Sequence, residues 1–190
     1  AEVMSAVWPV RTNQGLAEVI QRNIEQIGMP DWTEEEHKLA RDLQEKAGVK
    51  VEGLKVEVTT LDGESVQRSP SNDCGDVSWA VPMGRVSFPA NIPNISYHHW
   101  CAGVALATSI AHKGSVVGAK TVAASVVDLL MEPALVARAK KTFETELDGV
   151  TYKPLLPDGQ TPPLELNRDR MEPYRDAMRA HYVNKKPVFT

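Results

Sequence analysis

The chain has 190 residues, 42% hydrophobic and 24% charged, with a formal net charge of -4 and a pI near 5.8. That is enough length and apolar content for one domain with its own core. The acidic balance argues against a nucleic-acid partner, whose footprint is a basic patch, and no apolar run reads as long enough to span a bilayer.

Residues 1–9 lack the basic and apolar segments of a signal peptide. Val3, Ser5, Val7 and Pro9 alternate instead, like the end of a strand, which suggests the C-terminal part of something longer. Cys74 and Cys101 are too few for a disulfide scaffold. Reduced thiols in a cytoplasmic protein are the simpler expectation, with one disulfide left open.

A helix is expected over 16–27, where Leu16, Val19, Ile20, Asn23 and Ile24 share one face before Gly28 and Pro30 stop it. A second follows, with Thr33 and Glu36 at capping-box spacing and Gly48 closing it. Glu34, Glu35, Glu36 and His37 invite a metal assignment, but an acidic helix start accounts for the glutamates and His37 reads as solvated. Val56 and Val58 alternate with charges, so a half-exposed strand is expected there, then a turn at Asp62-Gly63 and a polar loop over 64–71.

Asn72, Asp73, Gly75 and Asp76 mark a turn. Asp76 has two readings: a group that positions a substrate or a histidine, or part of an Asx turn or helix cap leading to Trp79. Val86 and Phe88 read as a strand ending at Pro89, after which a Pro- and Asn-containing loop delivers Tyr97, His98, His99 and Trp100. Adjacent histidines on an extended segment point to opposite sides, so one can face a metal while the other packs. A histidine pair alone is weak evidence for a metal. Trp100 adds an apolar wall that would hold an imidazole still.

Residues 101–109 are small and neutral. The helix expected over 115–131 is apolar on most sides and so expected to be buried, with Gly118, Ala119, Ala123 and Ala124 permitting close packing on a sheet. His112 and Lys113 fall near its start, where anions bind well; the alternative is a helix-entry loop with a solvated lysine. A surface helix over 134–147 turns Leu135, Ala139 and Phe143 inward, and the tail from Gly149 is loop-rich and expected to wrap the surface, with a short helix over 171–181. There is no internal repeat, His-x-Asp, GxSxG, phosphate loop or CxxC pair.

The runs LAEVIQRNIEQIGMPDWTEEE, GDVSWAVP, HHW, SIAHKG followed by GAK, LNRDRMEPYR and AHYVNKKPVF together resemble the metal-dependent aminoacylase and carboxypeptidase amidohydrolases. Within that family they are most like the p-aminobenzoyl-glutamate hydrolase branch, and there the B subunit. The resemblance covers nearly the whole chain and corresponds to the C-terminal part of such enzymes. It implies an α/β fold: a mixed-sheet, two-metal catalytic domain with helices on both faces. Residues 1–10 would end an inserted dimerisation or lid domain, and 11–190 would be the C-terminal portion of the catalytic domain.

What the resemblance implies for function is equally specific. Two divalent ions, zinc or in some members manganese, would activate a water to cleave the amide of an N-acyl amino acid or an aminobenzoyl-glutamate-like substrate. The earlier metal ligands and the general-base glutamate would lie upstream, in the same precursor or another chain, so this chain alone would be inactive. Partners would be that N-terminal part, a second copy through the lid domain and a small amide substrate, with no nucleic acid and no membrane. The family's late metal-ligand histidine fits His98, with His99 and His112 as alternatives. Of the family's acidic turn only Asp76 carries over, because Gly75 stands where the family has a glutamate. Asp76, Trp100 and His112 would support the metal ligand or the substrate. The alternative function is a noncatalytic subunit that docks on a hydrolase subunit and completes its site.

Overall fold

A computed structural model describes residues 3–61 and 72–182. Eight α-helices are found there: α1 (Gln14–Ile27), α2 (Glu34–Lys46), α3 (Cys74–Ala80), α4 (Trp100–Leu106), α5 (Ser109–Met131), α6 (Pro133–Leu147), α7 (Arg168–Met171) and α8 (Arg175–Arg179). A 3-10 turn over Glu172–Tyr174 joins the last two.

Among the described residues there is no strand and no sheet, which overturns the expected α/β mixed-sheet architecture. The alternating segments at 3–9, 55–61 and 84–88 exist, but they run as irregular chain. Alternation prepares a segment to expose one face and bury the other. A ladder also needs a second backbone at hydrogen-bonding distance, and the described residues provide none. The turn expected at Asp62-Gly63, the loop over 64–71 and the end of the AHYVNKKPVF run lie outside the described residues.

Two compact units are present, residues 7–153 and a smaller one of residues 1–6 with 154–190. In the larger unit α1 packs on α5 and α6. Asn13 starts this arrangement: its Oδ1 accepts from the Leu16 amide at 3.0 Å, capping α1, while its Nδ2 donates to the Ala139 carbonyl of α6 at 3.0 Å. Further along, Asn23 Nδ2 donates to Ser125 Oγ at 3.3 Å and to Asp128 at 2.8 Å, and Arg22 pairs with Asp128 at 2.8 Å. Gly28 ends α1 with φ 76°, a conformation glycine adopts without cost.

The apolar core lies elsewhere. Ala40 and Leu43 of α2, Leu54, Ile92, Ile95, Cys101, Ala102 and Ala105 of α4, and Ile110 of α5 form one cluster. Gln44 pins its edge. The side chain is fully buried, with Oε1 accepting from the amides of Glu52 (3.0 Å) and Gly53 (2.8 Å), and Nε2 donating to the carbonyls of Gly53 (3.2 Å) and Pro93 (3.0 Å). One side chain thus replaces the ladder that residues 49–54 lack.

α5 departs from expectation in two respects. It begins at Ser109, so His112 and Lys113 lie within its first turns rather than before it. It is buried along one stripe only: Ala111, Gly114, Gly118, Thr121 and Ser125 face inward, while Val116, Val122, Val126, Val127 and Leu130 are exposed. Two of its glycines serve close approach. A Cβ on Gly114 would sit 2.2 Å from the Pro89 carbonyl oxygen, and one on Gly118 2.6 Å from the Phe88 ring. By length and composition alone this helix reaches the criterion for a membrane span, contrary to the reading of the sequence. One such helix is weak evidence for a membrane, and its inner stripe is committed to α1 through polar contacts and to α6 by packing. The smaller unit holds α7 and α8, with exposed side chains and local ion pairs Glu165–Arg168 and Glu172–Arg175.

Candidate functional site

The histidine pair sits at the corner that starts α4. Residues 97–98 form a turn, and His99, with φ -97° and ψ 147°, is the N-cap. Its Nδ1 accepts from the Cys101 amide at 3.2 Å, taking the place that Ser, Thr, Asp or Asn usually fills. His99 is half-buried and its ring lies 5.6 Å from that of Trp100, tilted by 36°. His98 and Trp100 are exposed. The tryptophan therefore steadies His99, the capping residue, and leaves His98 facing solvent.

His112 is exposed on α5. Its neighbour Lys113 is half-buried and paired, not an open anion site. It donates to Glu36 Oε2 at 2.8 Å and to the Asp31 carbonyl at 2.7 Å. Glu36 is buried at the start of α2, where the capping box expected from Thr33 is present. Burial pushes its carboxyl up, but hydrogen bonds from Lys113, Ser109 and the Thr33 amide outweigh it and hold the pKa at about 2. The acidic run is thus a helix start, as its pattern predicts, with one of its glutamates tied to α5. His37 is half-buried rather than solvated, with Nδ1 3.4 Å from the Leu54 amide.

Asp76 lies in the first turn of α3, half-buried. The Asx turn is present, with Asn72 Oδ1 accepting from the Cys74 amide at 3.0 Å. Tyr152 lies near Asp76, and its hydroxyl pKa is raised by burial and by the Asp76 carboxylate. Around them stand Trp8 and Trp79, ring centroids 4.6 Å apart, with the Arg11 guanidinium 4.4 Å over Trp79. The Trp8 and Trp79 indoles donate to the carbonyls of Lys153 and Pro9, both at 2.8 Å. Gly75 is required here, since a Cβ would lie 1.7 Å from the Trp8 carbonyl oxygen. The sequence marks these aromatics only as scattered residues, because no spacing rule links Trp8, Trp79 and Tyr152.

Among the described residues no group of three or more His, Cys, Asp or Glu converges to hold a metal. The described residues therefore do not by themselves fit a complete metal centre, since catalytic zinc uses about three protein ligands. A groove of about 670 Å³ is lined by α1, α5 and residues 55–61 and 85–89, and it contains Lys55, Glu57 and Arg85 but no histidine. This groove is thus lined by none of the candidate ligands.

No family model matches the chain, and no solved structure matches it. Among curated proteins, the B subunit of p-aminobenzoyl-glutamate hydrolase from Escherichia coli (strain K12) is 26% identical over 175 residues, covering 79% of this chain. The chain spans about a third of that relative's length, 36%. The match bears out the likeness read from GDVSWAVP, HHW and SIAHKG: this chain is similar to part of a p-aminobenzoyl-glutamate hydrolase subunit.

Proposed function

We propose that this chain is part of a hydrolase that cleaves the amide of an N-acyl amino acid, with an aminobenzoyl-glutamate-like compound as substrate. The observation that carries this reading is the match to the E. coli hydrolase subunit over most of the chain. Two divalent ions, zinc or manganese, belong to the proposal, and most of their ligands and the general-base glutamate then lie on polypeptide outside residues 1–190. His98 is the ligand contributed here. It is exposed at a corner fixed by the α4 cap, whereas the Nδ1 of His99 is committed to the Cys101 amide. One imidazole does not hold an ion, so the isolated chain is inactive in this reading.

The test is release of p-aminobenzoate from p-aminobenzoyl-glutamate. It compares the isolated chain with the chain joined to the part of the E. coli relative that lies outside the match. Turnover only in the joined protein supports the proposal, and an assembled, metal-loaded protein that hydrolyses no N-acyl amino acid overturns it. The relative's description as one subunit of a hydrolase favours a second reading, in which the chain docks on a catalytic partner and brings no catalytic residue of its own. In that case His98→Ala leaves turnover intact.

A further inference from the structure

We infer that the outer stripe of α5 is the surface on which this chain docks against the remainder of the hydrolase. This rests on the hydrolase reading, which supplies the occupant. α5 carries an inner stripe of small residues and an apolar outer stripe, and the fold uses the inner one. The inner stripe is closed by α1, α6 and the chain at Phe88 and Pro89. The outer one runs Val116, Ala119, Ala123, Val126 and Leu130, advancing by three, four, three and four residues. That is the spacing of a seam that meets a partner along its whole length, here about 21 Å at 1.5 Å per residue.

All five positions are exposed, with Val116 at 53%, Val126 at 48% and Leu130 at 75%. Val127, beside the seam, is 55% exposed. Single exposed apolar side chains are ordinary on a protein surface; a continuous uncharged stripe marks an interaction surface. A helix closely packed on one side and apolar on the other is built to lie between two layers. The described chain supplies one of them.

Two observations identify the other layer. The seam has no charged side chain at any of its five positions, and alanines at its centre allow close approach, so the occupant is an apolar surface rather than a charged ligand. The chain also spans only 36% of the matched relative, so a protein of that kind has polypeptide beyond this segment to provide such a surface. The remaining polypeptide of an enzyme like that relative is therefore the occupant proposed, and a second copy of this chain is the competing outcome of the test.

The test uses residues 1–190 and, as probe, the separately expressed part of the E. coli relative outside the match. Ala123→Glu and Val126→Asp place charges on the seam, where the isolated chain leaves them in water. Both variants are expected to keep the helicity and thermal unfolding of the isolated chain and to bind the probe roughly 30-fold or more weakly. Lys140→Glu, at an exposed position on α6, serves as the control and is expected to bind normally. No binding by the parent chain, or binding unaffected by the seam charges, overturns the inference. So does light scattering that shows the parent chain self-associating through the seam and the variants monomeric. Hydrolysis is scored separately on the same complexes. Seam-dependent binding without turnover would overturn the hydrolase reading but not the interface; turnover with seam variants intact would do the reverse.

Discussion

Glu36 at the start of α2 is bound by Lys113 of α5, Oε2 to Nζ 2.8 Å, across 77 positions of sequence. The carboxylate also caps its own helix through Thr33 and accepts from Ser109, so a single buried charge joins two helices. Its pKa, about 2 against an ordinary 4.5, sets the sign of a pH effect. A folded-state pKa below the unfolded one contributes stability above the unfolded value, and that contribution is lost as pH falls toward the folded value. Wild type is therefore expected to lose up to about 3 kcal/mol more than Glu36→Gln between about pH 4.5 and 2. Denaturant unfolding of both proteins across that window checks it. Parallel curves would show that Glu36 is not the group responsible.

Gln44 offers a second test. Replacing it with Leu removes two acceptor and two donor contacts and leaves the groups of Glu52, Gly53 and Pro93 to find other partners. A loss of about 2–4 kcal/mol is expected, since each unsatisfied buried polar group costs about 1–3 kcal/mol. Chemical denaturation measures it, and a loss below about 1 kcal/mol would mean that water replaces the amide.

The glycines at positions 75 and 103 should respond oppositely to alanine. At Gly75 the new Cβ meets the Trp8 carbonyl oxygen at 1.7 Å, so backbone must move and a cost of about 3 kcal/mol or more is expected. At Gly103, inside α4, nothing lies within 4 Å. There alanine should stabilise by about 0.5–1 kcal/mol. Melting temperatures of the two variants that shift in the same direction would contradict this packing.

For the histidines, metal content and stability separate the roles. In the assembled hydrolase, His98→Ala should lose metal and nearly all turnover with its fold intact. His99→Ala should keep the metal but lose about 0.5–2 kcal/mol from the α4 cap. Metal analysis alongside thermal unfolding distinguishes them, and equal metal content in wild type and His98→Ala would move the assignment to His112.

The sequence by itself determined the local elements with strong signals. α1, α2 and α6 lie where periodicity and caps put them, because an apolar stripe, a Thr33–Glu36 box and a terminal glycine act within a few residues of each other. Residue runs also sufficed for the likeness to p-aminobenzoyl-glutamate hydrolase. Tertiary structure decided the rest. Val56, Val58, Val86 and Phe88 have the alternation of strands, yet a strand exists only when another backbone completes its hydrogen bonds, and that is not encoded in the segment. The one-residue distinction between His98, left exposed, and His99, used as a cap, depends on where α4 starts. Asp76 lying near Tyr152, and Lys113 reaching Glu36, are relationships between residues far apart in the chain; the fold creates them by bringing α2 to α5 and α3 to the segment after α6, and no spacing rule announces them.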